Sequence, residues 1–334
     1  MISPIARCDM PTDLHQPTER TLVAPLAVAG VAMRRPGPAP LQTIDLRRWQ
    51  GPASPVEREQ ALQALEAGKI VFLPHLGFEL TARERRFLDP RVSDGKRKNV
   101  SFDPRNSRVH GTSLTGADRE ELAALLRRFG EAARALIEDL FPDYAPRLEI
   151  GRASLRPGAI DGRNISSHKD DSRLHIDAFP SQPLQGRRIL RLFANVNPDG
   201  LPRVWRVGGD FSEYVARFLP RWSHPVPGFS ATLAMLGVTK GWRTDYDWLM
   251  LSLHDRAKAD NTYQREGILA ELRFPAGSAW TLFTDLVPHA AIAGQHVLEQ
   301  TFYLPVGAMH DPAAAPLSIL EERTRRRLTT GSVC

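Results

Sequence analysis

The sequence predicts a mostly β protein with flanking helices, its core a double-stranded β-helix of the jelly-roll, cupin-like kind. Three observations predict it. After Arg147 the chain breaks into eight or so short strands separated by Pro and Gly turns. One long amphipathic stripe precedes them and reads as a helix packed on the outside of a sheet. A His-x-Asp pair ends one short apolar run, and a further His follows a Pro-Gly turn and strand more than a hundred residues later.

Composition narrows the function classes. At 334 residues the chain can bury one large core or two modest ones, and 42% apolar with 25% charged residues is ordinary for a globular protein. No apolar run approaches the roughly 20 residues of a membrane-spanning helix. Leu22 to Met33 is broken by Pro25 and Gly30 and follows mostly polar residues, so it makes a poor signal peptide. The two cysteines, Cys8 and Cys334, stand at opposite ends, which gives no disulfide framework and no zinc motif. A cytoplasmic protein is expected. A net charge of +6 favours anionic partners, with nucleic acid, phosphorylated lipid and acidic sugar all qualifying, although mild basicity also serves solubility.

In chain order, residues 1–42 are Pro-rich without sustained period and read as a mobile tail, with Met33 a candidate translation start. Residues 43–330 read as a single domain: a helix-rich part over 43–148, the β core over 149–310 and a C-terminal helix over 311–330. Pro55 to Ala67 reads as a helix and Lys69 to Pro74 as a strand stopped by proline. Thr81 to Leu88 reads as helical, and Arg91 to Arg108 as a polar, basic loop. From Thr115 to Phe141, Leu122, Leu125, Leu126, Phe129, Ala133, Leu136, Ile137 and Leu140 recur at helical steps, with Thr115 and Asp118 as the cap and Pro142 as the stop. Predicted strands then cover 149–156, 174–179, 188–197, 230–237, 268–274, 279–283, 290–293 and 297–304. Helices are expected at 210–219, 245–258 and 316–328.

His175 and Asp177 are two residues apart, so on a strand both side chains leave the same face. His289, from the run Val287-Pro288-His289, completes two imidazoles and one carboxylate on one side of a metal. That set leaves coordination positions open and suits non-haem Fe(II). A second copy of the pattern, His168-Lys169-Asp170, sits in a wholly polar stretch that reads as loop. A structural His beside a capping Asp is the plainer alternative. His224, His254, His296 and His310 are expected at the surface.

Oxygenases of this kind usually take 2-oxoglutarate, whose far carboxylate needs a cation. No Lys or Arg occurs between His289 and Arg323. The strand from Arg188 to Asn197 offers one instead. Leu190, Leu192, Ala194 and Val196 form an apolar face for helices, so Arg191, Phe193, Asn195 and Asn197 point into the barrel mouth. Arg191, with Asn195 beside it, is the expected co-substrate cation, because a guanidinium grips a carboxylate through two hydrogen bonds. Arg188 and Arg206 are the reserves, and a surface arginine is the alternative.

The run His168-Lys169-Asp170-Asp171-Ser172-Arg173-Leu174-His175-Ile176-Asp177-Ala178-Phe179-Pro180 resembles the metal segment of the Kdo hydroxylases. So do Gln185 to Arg191, Asn195 to Pro198, Pro202 to Gly208 and Glu299 to Phe302, and the resemblance runs from about Lys69 to Leu328. It implies an Fe(II)- and 2-oxoglutarate-dependent dioxygenase, with ascorbate as a further cofactor. It implies hydroxylation of C3 of the Kdo sugar on the lipid A precursor, giving Ko, with His175, Asp177 and His289 as iron ligands. The implied partner is the Kdo-bearing lipid A precursor at the anionic cytoplasmic face of the inner membrane, with no nucleic acid and no obligate protein partner. The basic loop, through Lys96, Arg97 and Lys98 with Lys169 and Arg173, is expected to dock the sugar–phosphate headgroup; a solvated loop is the alternative. Two other functions stay open: an oxygenase acting on nucleic acid, and a non-catalytic cupin-like sugar-binding barrel holding structural zinc.

Overall fold

The computed structural model describes residues 30–158, 170–221 and 241–329. The chain enters through β1 (Gly30–Met33) and β2 (Leu41–Thr43), then α1 (Pro55–Glu66) and β3 (Ile70–Leu73). Ser54 starts α1 through a reciprocal cap: its hydroxyl accepts from Glu57 N at 3.3 Å while the Glu57 carboxylate accepts from Ser54 N at 2.7 Å. A hairpin of β4 (Val100–Asp103) and β5 (Arg108–His110) precedes α2 (Gly116–Leu140) and β6 (Glu149–Arg156). Then come β7 (Arg188–Asn195), β8 (Arg203–Gly208), α3 (Phe211–Phe218), α4 (Asp245–Ala259) and α5 (Asn261–Glu266). The last elements are β9 (Ile268–Phe274), β10 (Ala279–Phe283), β11 (His289–Ala293), β12 (Val297–Leu304) and α6 (Pro316–Thr324).

The strands form two sheets. The larger has the order β2-β3-β10-β7-β12-β6-β4-β5 and the smaller β1-β9-β8-β11. Every pairing is antiparallel except β2 with β3. The alternation predicted for β7 decides how the large sheet packs. Leu190, Leu192 and Ala194 join Leu122, Leu126 and Phe129 of α2 in the main core. Phe193, on the other face, joins Phe72, Trp205, Leu272, Phe274 and Trp280 in a second core. Trp280 stacks on Phe274 at 4.1 Å and on Phe193 at 5.4 Å. Each such side chain, fully buried, contributes roughly 1.5–3 kcal/mol relative to exposure.

Several expectations need correction. The tail expected over residues 1–42 becomes sheet at Gly30, where β1 pairs with β9 from Gly30↔Arg273 to Met33↔Ala270. The basic stretch from Arg91 to Arg108 is not loop throughout, because Val100 and Phe102 alternate inward and form β4. Thr81 to Leu88 holds only a short 3-10 turn from Glu84 to Leu88. Leu174 to Phe179 is not a regular strand; its one ladder contact is the bridge of His175 to His289. Thr115 caps α2 without a side-chain hydrogen bond. The C-terminal helix stops at Thr324 because Arg325 takes a left-handed conformation at φ 53°. β8 and α5 were not expected, and the strand expected over residues 230–237 lies outside the described residues.

Candidate active site

The site forms where the segment carrying His175 lies along the edge of β11. His175 N donates to His289 O at 3.0 Å and His289 N to His175 O at 2.8 Å, while Asp177 N donates to Thr284 O at 2.8 Å. Main-chain bonds thus bring a short segment and a strand more than a hundred residues apart into register. One donor atom from each of His175, Asp177 and His289 lies within 4.8 Å of the others, and all three residues are buried.

The tautomers follow from the neighbours. His175 Nδ1 is 2.7 Å from Arg173 O and His289 Nδ1 is 2.9 Å from Val287 O. A carbonyl only accepts, so each Nδ1 carries the proton and each Nε2 keeps its lone pair. Burial pushes both imidazoles below their ordinary pKa; for His175 the neighbouring His289 and Lys258 add to it. Both are therefore neutral near pH 7 and ready to ligate. Burial would raise the pKa of Asp177, but the Arg191 guanidinium, the strongest opposing influence, holds it below the usual carboxylate range. One Asp177 oxygen, Oδ2, is buried without a hydrogen bond, although Arg191 Nε lies 3.3 Å from it. Two imidazole lone pairs and an ionised carboxylate fit a divalent iron.

Trp205 stacks on the His289 ring at 5.1 Å and fixes it against the aromatic core. The His254 ring, from α4, stands edge-on to His175 at 5.4 Å. The triad borders a cavity of about 280 Å³ that also takes Lys98, Arg156, Arg191, Arg203 and Lys258 into its wall.

Strand register explains the charges behind the triad. On β12, Val297 faces Arg156 of β6, Glu299 faces Phe193 of β7, and Thr301 faces Arg191. Arg156, Glu299 and Arg191 are therefore diagonal neighbours on the cavity face of three adjacent strands. Arg156 Nη2 is 2.7 Å from Glu299 Oε2, and Arg191 Nη1 is 3.1 Å from Glu299 Oε1. Arg191 thus bridges Glu299 and the metal ligand Asp177.

The other expected site residues divide. Arg191 and Lys98 line the cavity. Asn195 does not: its amide donates to Leu201 O and Phe274 O, and its Oδ1 accepts from Asn197 N, so it holds the turn after β7. Lys96 and Arg97 are exposed. Arg173 is turned away onto the helices, donating to Lys258 O and to Asn261 Oδ1 at 2.5 Å. Of the reserves, Arg188 is sealed against Asp285 at 2.7 Å, and Arg206 pairs with Glu271 on the outer sheet at 3.5 Å. His254 and His296 are buried rather than at the surface, while His310 is exposed. His168, Lys169 and His224 lie outside the described residues. Sequence reading passed over Arg156, Asp171, Trp205, His254, Lys258 and Glu299, which only the tertiary fold assembles.

Comparison with known proteins agrees with this geometry. Residues 48–327 match the family model described as 3-deoxy-D-manno-oct-2-ulosonic acid (Kdo) hydroxylase. Crystal structures of the Kdo hydroxylase KdoO, a non-haem Fe(II), α-ketoglutarate-dependent dioxygenase, are similar at 42% identity over 89% of this chain and 99% of that one. The cobalt(II) complex superposes with a TM-score of 0.86; those with α-ketoglutarate and Fe(III), and with succinate and Fe(III), each give 0.85. No curated protein matches the chain. No helix among the described residues is long and apolar enough to cross a membrane. The match over most of the chain, around a buried His175-Asp177-His289 triad, places the chain in the Kdo hydroxylase family of Fe(II)/2-oxoglutarate-dependent dioxygenases.

Proposed function

We propose that the chain hydroxylates C3 of Kdo on the lipid A precursor, giving Ko, with Fe(II) on His175, Asp177 and His289 and with Arg191 gripping 2-oxoglutarate. The observation that carries this reading is the triad itself, its two Nε2 lone pairs and one carboxylate turned to a cavity lined by cations. Bound iron would supply oxygen activation coupled to decarboxylation of 2-oxoglutarate, with ascorbate keeping it reduced. The chain's own part is to hold the ligands, orient the acids and exclude water. Glu299 and Asp177 fix the Arg191 guanidinium, so its planar donors are oriented before a carboxylate arrives. The test is mass spectrometry of Kdo-lipid A precursor incubated with enzyme, Fe(II), 2-oxoglutarate and oxygen. A gain of one oxygen on Kdo is expected, and its absence under active 2-oxoglutarate turnover would sink the assignment. In the same assay Arg191→Ala should raise the 2-oxoglutarate requirement by the equivalent of about 2–5 kcal/mol, the range for truncated buried charge pairs.

Peripheral contact with an anionic membrane face belongs to the same reading, as does a cytoplasmic location. Lys96 and Arg97 stand exposed near Lys98, which reaches the cavity. Basic residues at such a surface are worth about 1 kcal/mol each and weaken with salt. The double variant Lys96→Ser, Arg97→Ser should turn over lipid-linked substrate more slowly at low salt and respond less to added salt than wild type. Equal activity and equal salt response would leave this pair as a solvated turn.

A further inference from the structure

Among the described residues, five cations gather on the cavity wall, more than the metal and its co-substrate call for. Lys98, Arg156, Arg191, Arg203 and Lys258 line it. Among the described residues they face Asp171 and Asp177, with Glu299 paired behind, an excess of two positive charges. Adding a divalent cation and a doubly anionic co-substrate leaves that excess unchanged. The excess gathers at Asp171. Lys98 Nζ donates to its Oδ1 at 2.8 Å, Lys258 Nζ lies 3.7 Å from the same oxygen, and Arg156 Nη1 lies 3.5 Å from Oδ2.

These cations differ in kind. Arg156 and Arg191 come from the barrel strands and are clamped by Glu299. The lysines come from outside the barrel: Lys98 just before β4, and Lys258 from α4, one turn after His254. Lys258 is only 2% exposed. An ammonium at such depth needs an anion, and Asp171 is the one that holds it at the cavity wall.

We infer that Lys98 and Lys258, held around Asp171, form the subsite that binds the carboxylate of the acidic sugar, the barrel arginines being left to the co-substrate. This rests on the proposed function and extends it to how the substrate is recognised. The two lysines line the same cavity as the triad, and the carboxylate of Kdo is attached to the carbon next to C3, so the anion beside the metal is the sugar's carboxylate and not a lipid phosphate. A charged lysine pair should prefer a carboxylate over its neutral amide by about tenfold or more, since hydrogen bonds to charged groups are worth about 1.5–3 kcal/mol.

The test is calorimetric binding to the cobalt(II)-loaded protein of the methyl glycoside of Kdo, of its carboxamide and of inorganic phosphate. Wild type should bind the acid about tenfold tighter than the amide. Lys258→Met and Lys98→Met should each lose most of that preference while cobalt(II) and 2-oxoglutarate affinities stay within about twofold. Should Lys258→Met not fold, the Lys98→Met variant decides alone, because its side chain is 34% exposed. Acid and amide binding equally in wild type, or a preference that survives both substitutions, would overturn the subsite. So would a loss confined to 2-oxoglutarate, which would assign the lysines to the co-substrate, or phosphate displacing the sugar acid at equal concentration. Charge-selective binding without any oxidation would refute the function and leave the subsite. Oxidation without charge selectivity would do the reverse.

Discussion

His175→Ala, Asp177→Ala and His289→Ala are each expected to take turnover below detection and to abolish tight cobalt(II) binding, while the fold survives. The bonds that place these residues are made by the main chain, His175 N to His289 O, His289 N to His175 O and Asp177 N to Thr284 O, so alanine keeps them. What alanine removes is a ligand, and two remaining donors cannot hold the ion on one face. His254→Ala is the informative control. Its ring touches His175 edge-on but belongs to no group of three donors among the described residues, so cobalt(II) binding should persist. The depressed imidazole pKa values add a pH signature: both imidazoles titrate below their ordinary range, His175 well below it, so affinity should change little from pH 7.5 to 6.5. Visible absorbance of the cobalt(II) protein reads all of this. Retained binding in His175→Ala would return the ligand role to the upstream His168 pattern.

The triad was legible because its parts are local. The His-x-Asp spacing and a His after a Pro-Gly turn are read without knowledge of the fold, although the segment from Leu174 to Phe179 is held by a single bridge and not by the strand expected there. The faces of β7 were legible for the same reason, since period two sends Leu190, Leu192 and Ala194 to one core and Phe193 to the other. Asn195 broke that parity argument at the strand end, where a turn claimed its amide. Lys98, Asp171 and Lys258 were hidden because their contacts join distant segments. Yet α4 carried a signal: Asp247, His254 and Lys258 sit at helical spacing among the apolar residues of its buried face, and all three are buried. Polar residues inside a core stripe ask for partners. The β4–β5 hairpin likewise had its turn in Asn106-Ser107, Ser107 being left-handed at φ 54°, but the surrounding charge drowned it.

Arg188→Ala should cost about 3–5 kcal/mol of stability, the range for breaking a buried ion pair by removing one partner. At about 2–4 °C per kcal/mol for a domain of this order of size, the melting temperature would fall by roughly 6–20 °C. Arg188 looked like a reserve for the co-substrate, but its side chain and that of Asp285 are both 0% exposed. Its Nε donates to Asp285 Oδ2 at 2.7 Å and its Nη1 to Met309 Sδ at 3.0 Å, with the guanidinium 3.8 Å from the Phe283 ring centroid. The pair pins the start of the turn that runs from β10 to His289. Without the cation Asp285 is an uncompensated charge in the core. Burial already holds its pKa above the ordinary value even with Arg188 beside it. Removing Arg188 raises that folded-state pKa further, so the folded variant binds a proton that the unfolded chain releases. Its stability is therefore lost as pH rises, and the deficit against wild type should be larger at pH 7.5 than at pH 5. Urea unfolding at the two values measures it. The double variant Arg188→Met, Asp285→Leu should recover most of the loss, since an apolar pair of similar volume leaves no charge to solvate. An Arg188→Ala protein that melts with wild type, or a deficit that grows toward pH 5, would refute this account of the pair.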